Sequence, residues 1–429
     1  MKKTTIYILI LALVIAGLCP AVTGCAANDT ALSTQPDVTE TTESALATQP
    51  FTETFPEIPT QESTEAPVQE PTDSAVQSPA DPAPADPTET VLQSPTATAP
   101  QEQPAQTVPE STAPAESLVQ EQLPAVNTAQ DVSGILTDVL AKLAYNVPEP
   151  VFGTLVGEWT VLCLAQGEYF AQSDAYFAGY YSRIVQTVAQ KAASVNQNGA
   201  LHRAKSTENS RLIVALSAIG KDATDVGGWN LITPYDNFNW ILKQGINGPI
   251  WALIALDTAN YQTQDPTIRQ QCIEHILQKQ LSDGGWALTG KVSDPDITAM
   301  TLQALFPYRA QSAVKVAAEK GFACLSALQK ENGGYVTFGD ENSESCAQVI
   351  VACATWGINP DTDSRFIKNG TSVLDSLLAH YVDSDDGFKH IQAGTVDAMA
   401  TDQGCYALIA YQRLLTGKRP LYVMDDVVR

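Results

Sequence analysis

Two aspartates stand two residues apart in Ser293-Asp-Pro-Asp-Ile-Thr-Ala-Met-Thr-Leu-Gln-Ala-Leu305, where a polar stretch gives way to a near-continuous apolar run. A carboxyl group that is buried and kept protonated by a neighbouring carboxylate is a proton donor for acid catalysis. Asp294 and Asp296 are residues of the type that such chemistry needs. The same stretch has a structural reading: Asp294 suits a helix N-cap and Pro295 the first helical position. A second constellation is Asp402-x-x-Cys405, with His380 and His390 upstream. Asp402, Cys405 and His390 have the chemistry of zinc ligands but not the spacing of a zinc motif, so no metal and no cofactor is assigned. A Gly-x-Ser-x-Gly elbow, a phosphate loop and a His-Glu-x-x-His pair are all missing from the chain.

These residues sit on a repeated element. An alanine flanked by apolar residues recurs at Ala165, Ala215, Ala255, Ala304, Ala352 and Ala410, in steps of 50, 40, 49, 48 and 58 residues. Eight residues before each stand Gly157, Thr207, Asn247, Asp296, Glu344 and Asp402, five of them able to accept hydrogen bonds at a helix start. Asp296 is thus one of a column of expected capping groups, which favours the structural reading. Six copies of a buried helix spell a repeat architecture. More amphipathic segments lie between them, at 186–195, 266–280, 312–329 and 366–381. The expected fold is all-α, an inner ring of six helices wrapped by about six outer ones. Strand signals are few, the best being 334–338. Four residues after the capping column stand Val161, Arg211, Trp251, Met300, Gln348 and Tyr406. Their variety in size and polarity makes Arg211, Trp251, Met300, Gln348 and Tyr406 the candidate lining of a ligand-binding lumen, with irregular core filling as the alternative.

The turns after the outer helices carry a second signature. Gln280-x3-Gly284-Gly-Trp286 matches Gln329-x3-Gly333-Gly-Tyr335, and each Gln follows an apolar residue, Ile276 or Leu325, by four positions. Gly227-Gly-Trp229 and Asp386-Gly-Phe388 are degenerate copies. With Asp294-Pro-Asp296-Ile-Thr298-Ala299, these turns resemble the prenyltransferase/squalene-cyclase repeats of α/α-toroid proteins, over most of 150–415. Stretches such as 244–257 and 400–411 look similar to exported toroid proteins of Gram-positive, Clostridia-like bacteria. The resemblance implies a toroid. Class II terpene cyclases of this kind protonate an alkene with an acid of an Asp-x-Asp-Asp-Thr-Ala motif; the resemblance makes Asp294 and Asp296 the candidate catalytic residues, though here Ile297 replaces the last acid. Prenyltransferases hold zinc with Asp-x-Cys and a later His; Asp402-x-x-Cys405 is one residue too wide and no His follows it. The thioester stretch Gly-Cys-Gly-Glu-Gln of complement-like toroids is absent.

The chain ahead of the repeats has a different character. Lys2 and Lys3 precede an apolar run from Ile6 to Leu18, followed by Val22-Thr23-Gly24-Cys25. That is an export signal over residues 1–24 whose end resembles a bacterial lipobox, making Cys25 the lipidation site and membrane lipid the first expected partner. Residues 25–130 lack Lys and Arg and carry seventeen acids and sixteen prolines. Such a stretch cannot bury enough apolar surface to order itself; it reads as a tether spanning on the order of 55 Å. Residues 131–429 form the toroid domain. The net charge of −24 argues against nucleic acid as a partner. The six other mature cysteines read as buried thiols. The expected protein is an exported lipoprotein on the outer face of the membrane that binds a small-molecule or surface ligand without catalysis. The alternatives are a terpenoid cyclase-like or prenyltransferase-like enzyme using Asp296, and a structural surface scaffold.

Overall fold

A computed structural model describes residues 128–153, 155, 157–195 and 198–427. The signal segment, Cys25 and all but the last three residues of the tether lie outside the described residues. The described residues form twelve α-helices: α1 (Thr128–Asn146), α2 (Glu158–Gln166), α3 (Ala175–Val195), α4 (Ser206–Ala218), α5 (Phe238–Ile241), α6 (Asn247–Asp257), α7 (Ile268–Gln278), α8 (Pro295–Leu305), α9 (Ser312–Leu328), α10 (Ser343–Thr355), α11 (Val373–Leu378) and α12 (Ala398–Leu415). The even-numbered helices form the inner ring. Each packs on the next even one, and α12 packs back on α2, so the ring closes. The odd-numbered helices lie outside: α7 on α6, α9 on α8, α11 on α10, and α1 against both α12 and α2. The fold is an α/α toroid.

All six recurring alanines fall inside the inner helices. These helices are buried on nearly every face, which is why their sequences are apolar all round rather than striped. Two outer elements depart from the expected pattern. Between α4 and α6 the outer layer breaks into a 3-10 turn at Thr233–Asp236, the short α5 and a second 3-10 turn. The expected helix over 366–381 shrinks to α11, because 367–372 folds into a two-stranded hairpin. Its tip is Asn369-Gly370, both at positive φ, the residue pair that a tight hairpin turn favours. Similar hairpins pair Val336–Thr337 with Asp340–Glu341 and Tyr381–Val382 with Gly387–Phe388.

The glutamine turns are built as hydrogen-bond clasps. Gln280 Nε2 donates to Gly284 O and to Ala317 O on α9, both at 2.8 Å. Gln329 Nε2 donates to Gly333 O at 3.0 Å and to Phe366 O at 2.8 Å. Each clasp ties one turn to the next outer segment. The aromatics close the same loop: Trp286 Nε1 donates to Ile276 O and the Tyr335 hydroxyl to Leu325 O, the apolar positions that precede each Gln. Gly284 and Gly333 sit at φ +91° and +81°, and a Cβ would lie within 2.7 Å and 2.4 Å of backbone oxygens of Lys320 and Ser372, so only glycine fits.

Candidate functional site

The axis of the ring is filled rather than open. Trp159 packs on Trp251 (centroids 5.4 Å apart) and on Tyr406 (5.9 Å). Beside them Gln303 Nε2 donates to Gln348 Oε1, Gln348 Nε2 donates to Gln403 Oε1 and the Tyr406 hydroxyl, and that hydroxyl donates to Gln403 Oε1. At the C-terminal ends of the inner helices, Leu421, Tyr422 and Met424 are buried, with Tyr422 against Trp251 and Met424 N donating to Thr258 O. At the N-terminal ends a cavity of about 240 Å³ remains.

Helix caps place the polar walls of this cavity. Asp294 Oδ1 accepts from Ile297 N at the start of α8, Asn342 Oδ1 from Ser345 N at α10, and Asp397 Oδ1 from Met399 N and Ala400 N at α12. Asp294 therefore caps as its position suggests. The expected capping column does not: Asp296 and Glu344 lie two residues inside the caps and Asp402 five inside, so other residues satisfy the free backbone N–H groups. Asp296 and Glu344 instead turn into the cavity with Met300, Gln348, Gln403, Asp340, Asn342, His390, Met399 and Asp397, under a rim holding Leu155, Thr337 and Phe338.

Asp296 is 3% exposed. Its Oδ1 meets the Thr337 hydroxyl at 3.5 Å, and among the described residues no cation pairs with it. Burial pushes this carboxyl well above the usual carboxylate range, and the charges of Asp294 and Glu344 add to the rise, against a hydrogen bond from Ser345. Glu344 is held differently: both its oxygens lie 2.9–3.0 Å from His390 Nδ1. That hydrogen bond raises the His390 imidazole above its ordinary value, against its own burial. A buried acid whose affinity for a proton is raised, beside a glutamate hydrogen-bonded to an imidazole, can donate a proton, accept one, or hold a polar group.

The sequence-level candidates divide. Asp296, Met300 and Gln348 line the cavity. Trp251 and Tyr406 lie beneath it in the axial packing, where their bulk and the hydroxyl's partners place them. Arg211 is taken up by a buried ion pair with Glu158, Nε to Oε2 at 2.9 Å. Asp294 lines a separate groove with Leu288 and Val292. In the acid motif only Asp296 faces the cavity, because Thr298 Oγ1 is spent on the backbone N–H and carbonyl of Trp286. Asp402, Cys405 and His390 are not brought together: Thr160 Oγ1 donates to Asp402, and no metal-binding cluster forms among the described residues. All six described cysteines are buried and unbridged. Glu344 stood in the column beside Asp296 and was readable as its equivalent. Gln403 was not, because it lies on α12 one position after the column residue Asp402; nor were His390 and Phe338, which a loop and a hairpin bring in from outside the repeat register.

No family model and no curated protein sequence matches the chain. Among solved structures it is similar to unsaturated glucuronyl hydrolase from Bacillus sp. GL1, described as responsible for glycosaminoglycan degradation, with 12% identity, TM-score 0.47, and coverage of 69% of this chain and 99% of that one. It is also similar to a point mutant of unsaturated glucuronyl hydrolase from Streptococcus agalactiae, with 13% identity, TM-score 0.47, and coverage of 66% and 92%. Likeness this distant says nothing about chemistry.

Proposed function

We propose that the protein is an extracytoplasmic lipoprotein whose toroid holds a small-molecule ligand at the mouth formed by the inner-helix N-termini. The observation that carries this reading is Asp296, a buried carboxyl with no cation partner among the described residues, opening on a cavity of about 240 Å³. Burying such a group costs free energy unless something compensates it, and Gln348 and Gln403 offer further hydrogen-bonding groups on the same walls. A scaffold without a ligand has no use for this arrangement. The lipid anchor on Cys25, the tether and the outer-face location complete the proposal and rest on the N-terminal sequence. The finer kinship with prenyltransferase/squalene-cyclase repeats rests on the glutamine turns.

The test is native mass spectrometry of the lipidated protein extracted from its own host, beside a Met300→Trp variant that fills the cavity. A small molecule retained by the wild type and lost from the variant supports the reading. A bare wild-type mass counts against it. An enzymatic reading has its own support, because a protonated Asp296 beside Glu344–His390 is an acid–base arrangement. Under it Asp296→Asn abolishes turnover of the retained compound while leaving its binding within a few fold. The cavity falls below the roughly 300–1,000 Å³ typical of drug-sized ligands, which speaks against a folded polyprenyl substrate.

A further inference from the structure

We propose that the ligand of this mouth is an amine with an aliphatic body, its ammonium group held among the cavity carboxylates and its chain leaving across Phe338. The proposal rests on the mouth being a binding site and adds the chemical class. Four acidic side chains face the cavity, those of Asp296, Asp340, Glu344 and Asp397, against one base, His390, among the described lining residues. Glu344 occupies that base at 2.9 Å, so an anionic ligand meets no free cation among the described lining residues. A concave site lined with one sign of charge focuses its field and gathers the opposite charge. Asp296 supplies the receiving group: it is nine-tenths buried, it lines the cavity, and its side-chain partners are the hydroxyls of Ser345 and of Thr337, the latter at 3.5 Å, with no cation among the described residues. Between the acids, Met300 and Met399 offer thioether walls suited to alkyl groups.

The exit is marked by a conformational outlier. Phe338 and Gly339 form the two-residue tip of the 336–341 hairpin, at φ +55° and +100°. Positive φ at both tip positions is the geometry that favours Asn-Gly, and a bulky aromatic in the first is strained. Strain of this kind collects at ligand clamps. The ring is 39% exposed. It borders both the cavity and a neighbouring groove lined by Leu288, Val292 and Val336. A chain too long for the cavity passes over Phe338 into that groove.

The test is calorimetric titration of the purified full-length protein with butyl-, hexyl- and octylammonium chloride, and with the matching alkyl sulfonates and alcohols, below their aggregation concentrations. The expected result is binding of the amines alone, tightening roughly fourfold per added methylene. Asp296→Asn weakens all three amines by a common factor of tenfold or more. Phe338→Gly relieves the strained turn and so folds; it weakens octylammonium more than hexyl- and hexyl- more than butylammonium, and so flattens the dependence on chain length. Sulfonates or alcohols binding as well as amines, or no amine binding at all, overturns the proposed class. An unchanged chain-length slope in Phe338→Gly overturns the exit route. Either failure leaves the mouth reading to stand or fall on the retained mass and its loss in Met300→Trp.

Discussion

Glu158 and Asp296 are two acids buried in the first turns of α2 and α8, the first and fourth helices of a six-membered ring and so opposite one another. Glu158 has no exposed surface; Arg211 Nε reaches it at 2.9 Å and Gly153 N donates to both its oxygens. Burial raises its affinity for a proton, and the guanidinium and hydrogen bonds work against that rise. Asp296 is almost as deeply buried and has no such cation among the described residues. One carboxylate is spent inside the fold, where it ties the segment before α2 to the ring. The other is left with unused hydrogen-bonding capacity, and the cavity lies on that side. Burial alone does not identify a functional acid; burial without a compensating cation, on the wall of a cavity, does.

The comparison is easiest to break on the compensated side. Arg211→Met removes the guanidinium and leaves Glu158 in a site that cannot solvate it, an outcome that costs about 3–5 kcal/mol. Urea unfolding of the variant against the wild type measures it. Adding Glu158→Gln should restore much of the loss, because the double variant buries no charge. A single variant within 1 kcal/mol of wild type would mean that the pair contributes little, and the contrast with Asp296 would lose its basis.

On the uncompensated side the sign reverses. The folded-state affinities of Asp296 and Asp402 for a proton are raised, chiefly by burial, so each contributes stability that is complete below the unfolded carboxylate value, about 3.9. That contribution disappears as pH rises through the folded value. Asp296→Asn should therefore match wild type near pH 4 and exceed it at pH 8 by on the order of 1–2 kcal/mol. Asp402→Asn should follow the same course with a smaller gain, since Thr160 already donates to Asp402 at 3.0 Å. Melting temperatures across that range check both. A variant–wild-type gap that stays flat with pH would show that these acids are not held protonated.

The ring was readable in the sequence and the cavity only in part, for a physical reason. Inner helices are packed on all sides, so each copy must repeat the same small and apolar residues at the same spacing, and Ala165 through Ala410 record that. The turns repeat because a Gln side chain, a positive φ and an aromatic N–H or O–H have to satisfy one another, as Gln280, Gly284 and Trp286 do. The site obeys no such rule. His390 and Phe338 reach it from loops whose lengths differ between repeats. Arg211 and Met300 share a column yet differ in role, because a partner outside the column, Glu158, withdraws Arg211. The Asn369-Gly370 turn that shortened α11 was present in the sequence, but the amphipathic pattern around it outweighed a two-residue signal.

Glu344 stands between the two extremes and gives the finest test of the contrast. Its cation, His390, is itself titratable, and the hydrogen bond between them raises the imidazole above its ordinary value near 6.5. The pair's contribution to stability is therefore complete below about 6.5 and fades as pH rises through the raised folded value. His390 is about one-third exposed, so solvent screens the pair and the contribution is about 0.5 kcal/mol or less. His390→Gln should lie below wild type at pH 5.5 by that amount and merge with it at high pH. A gap that instead widens with pH would mean that Glu344 is held by something other than the imidazolium. If the curves do merge, raising the pH converts Glu344 from the compensated condition of Glu158 toward the uncompensated one of Asp296.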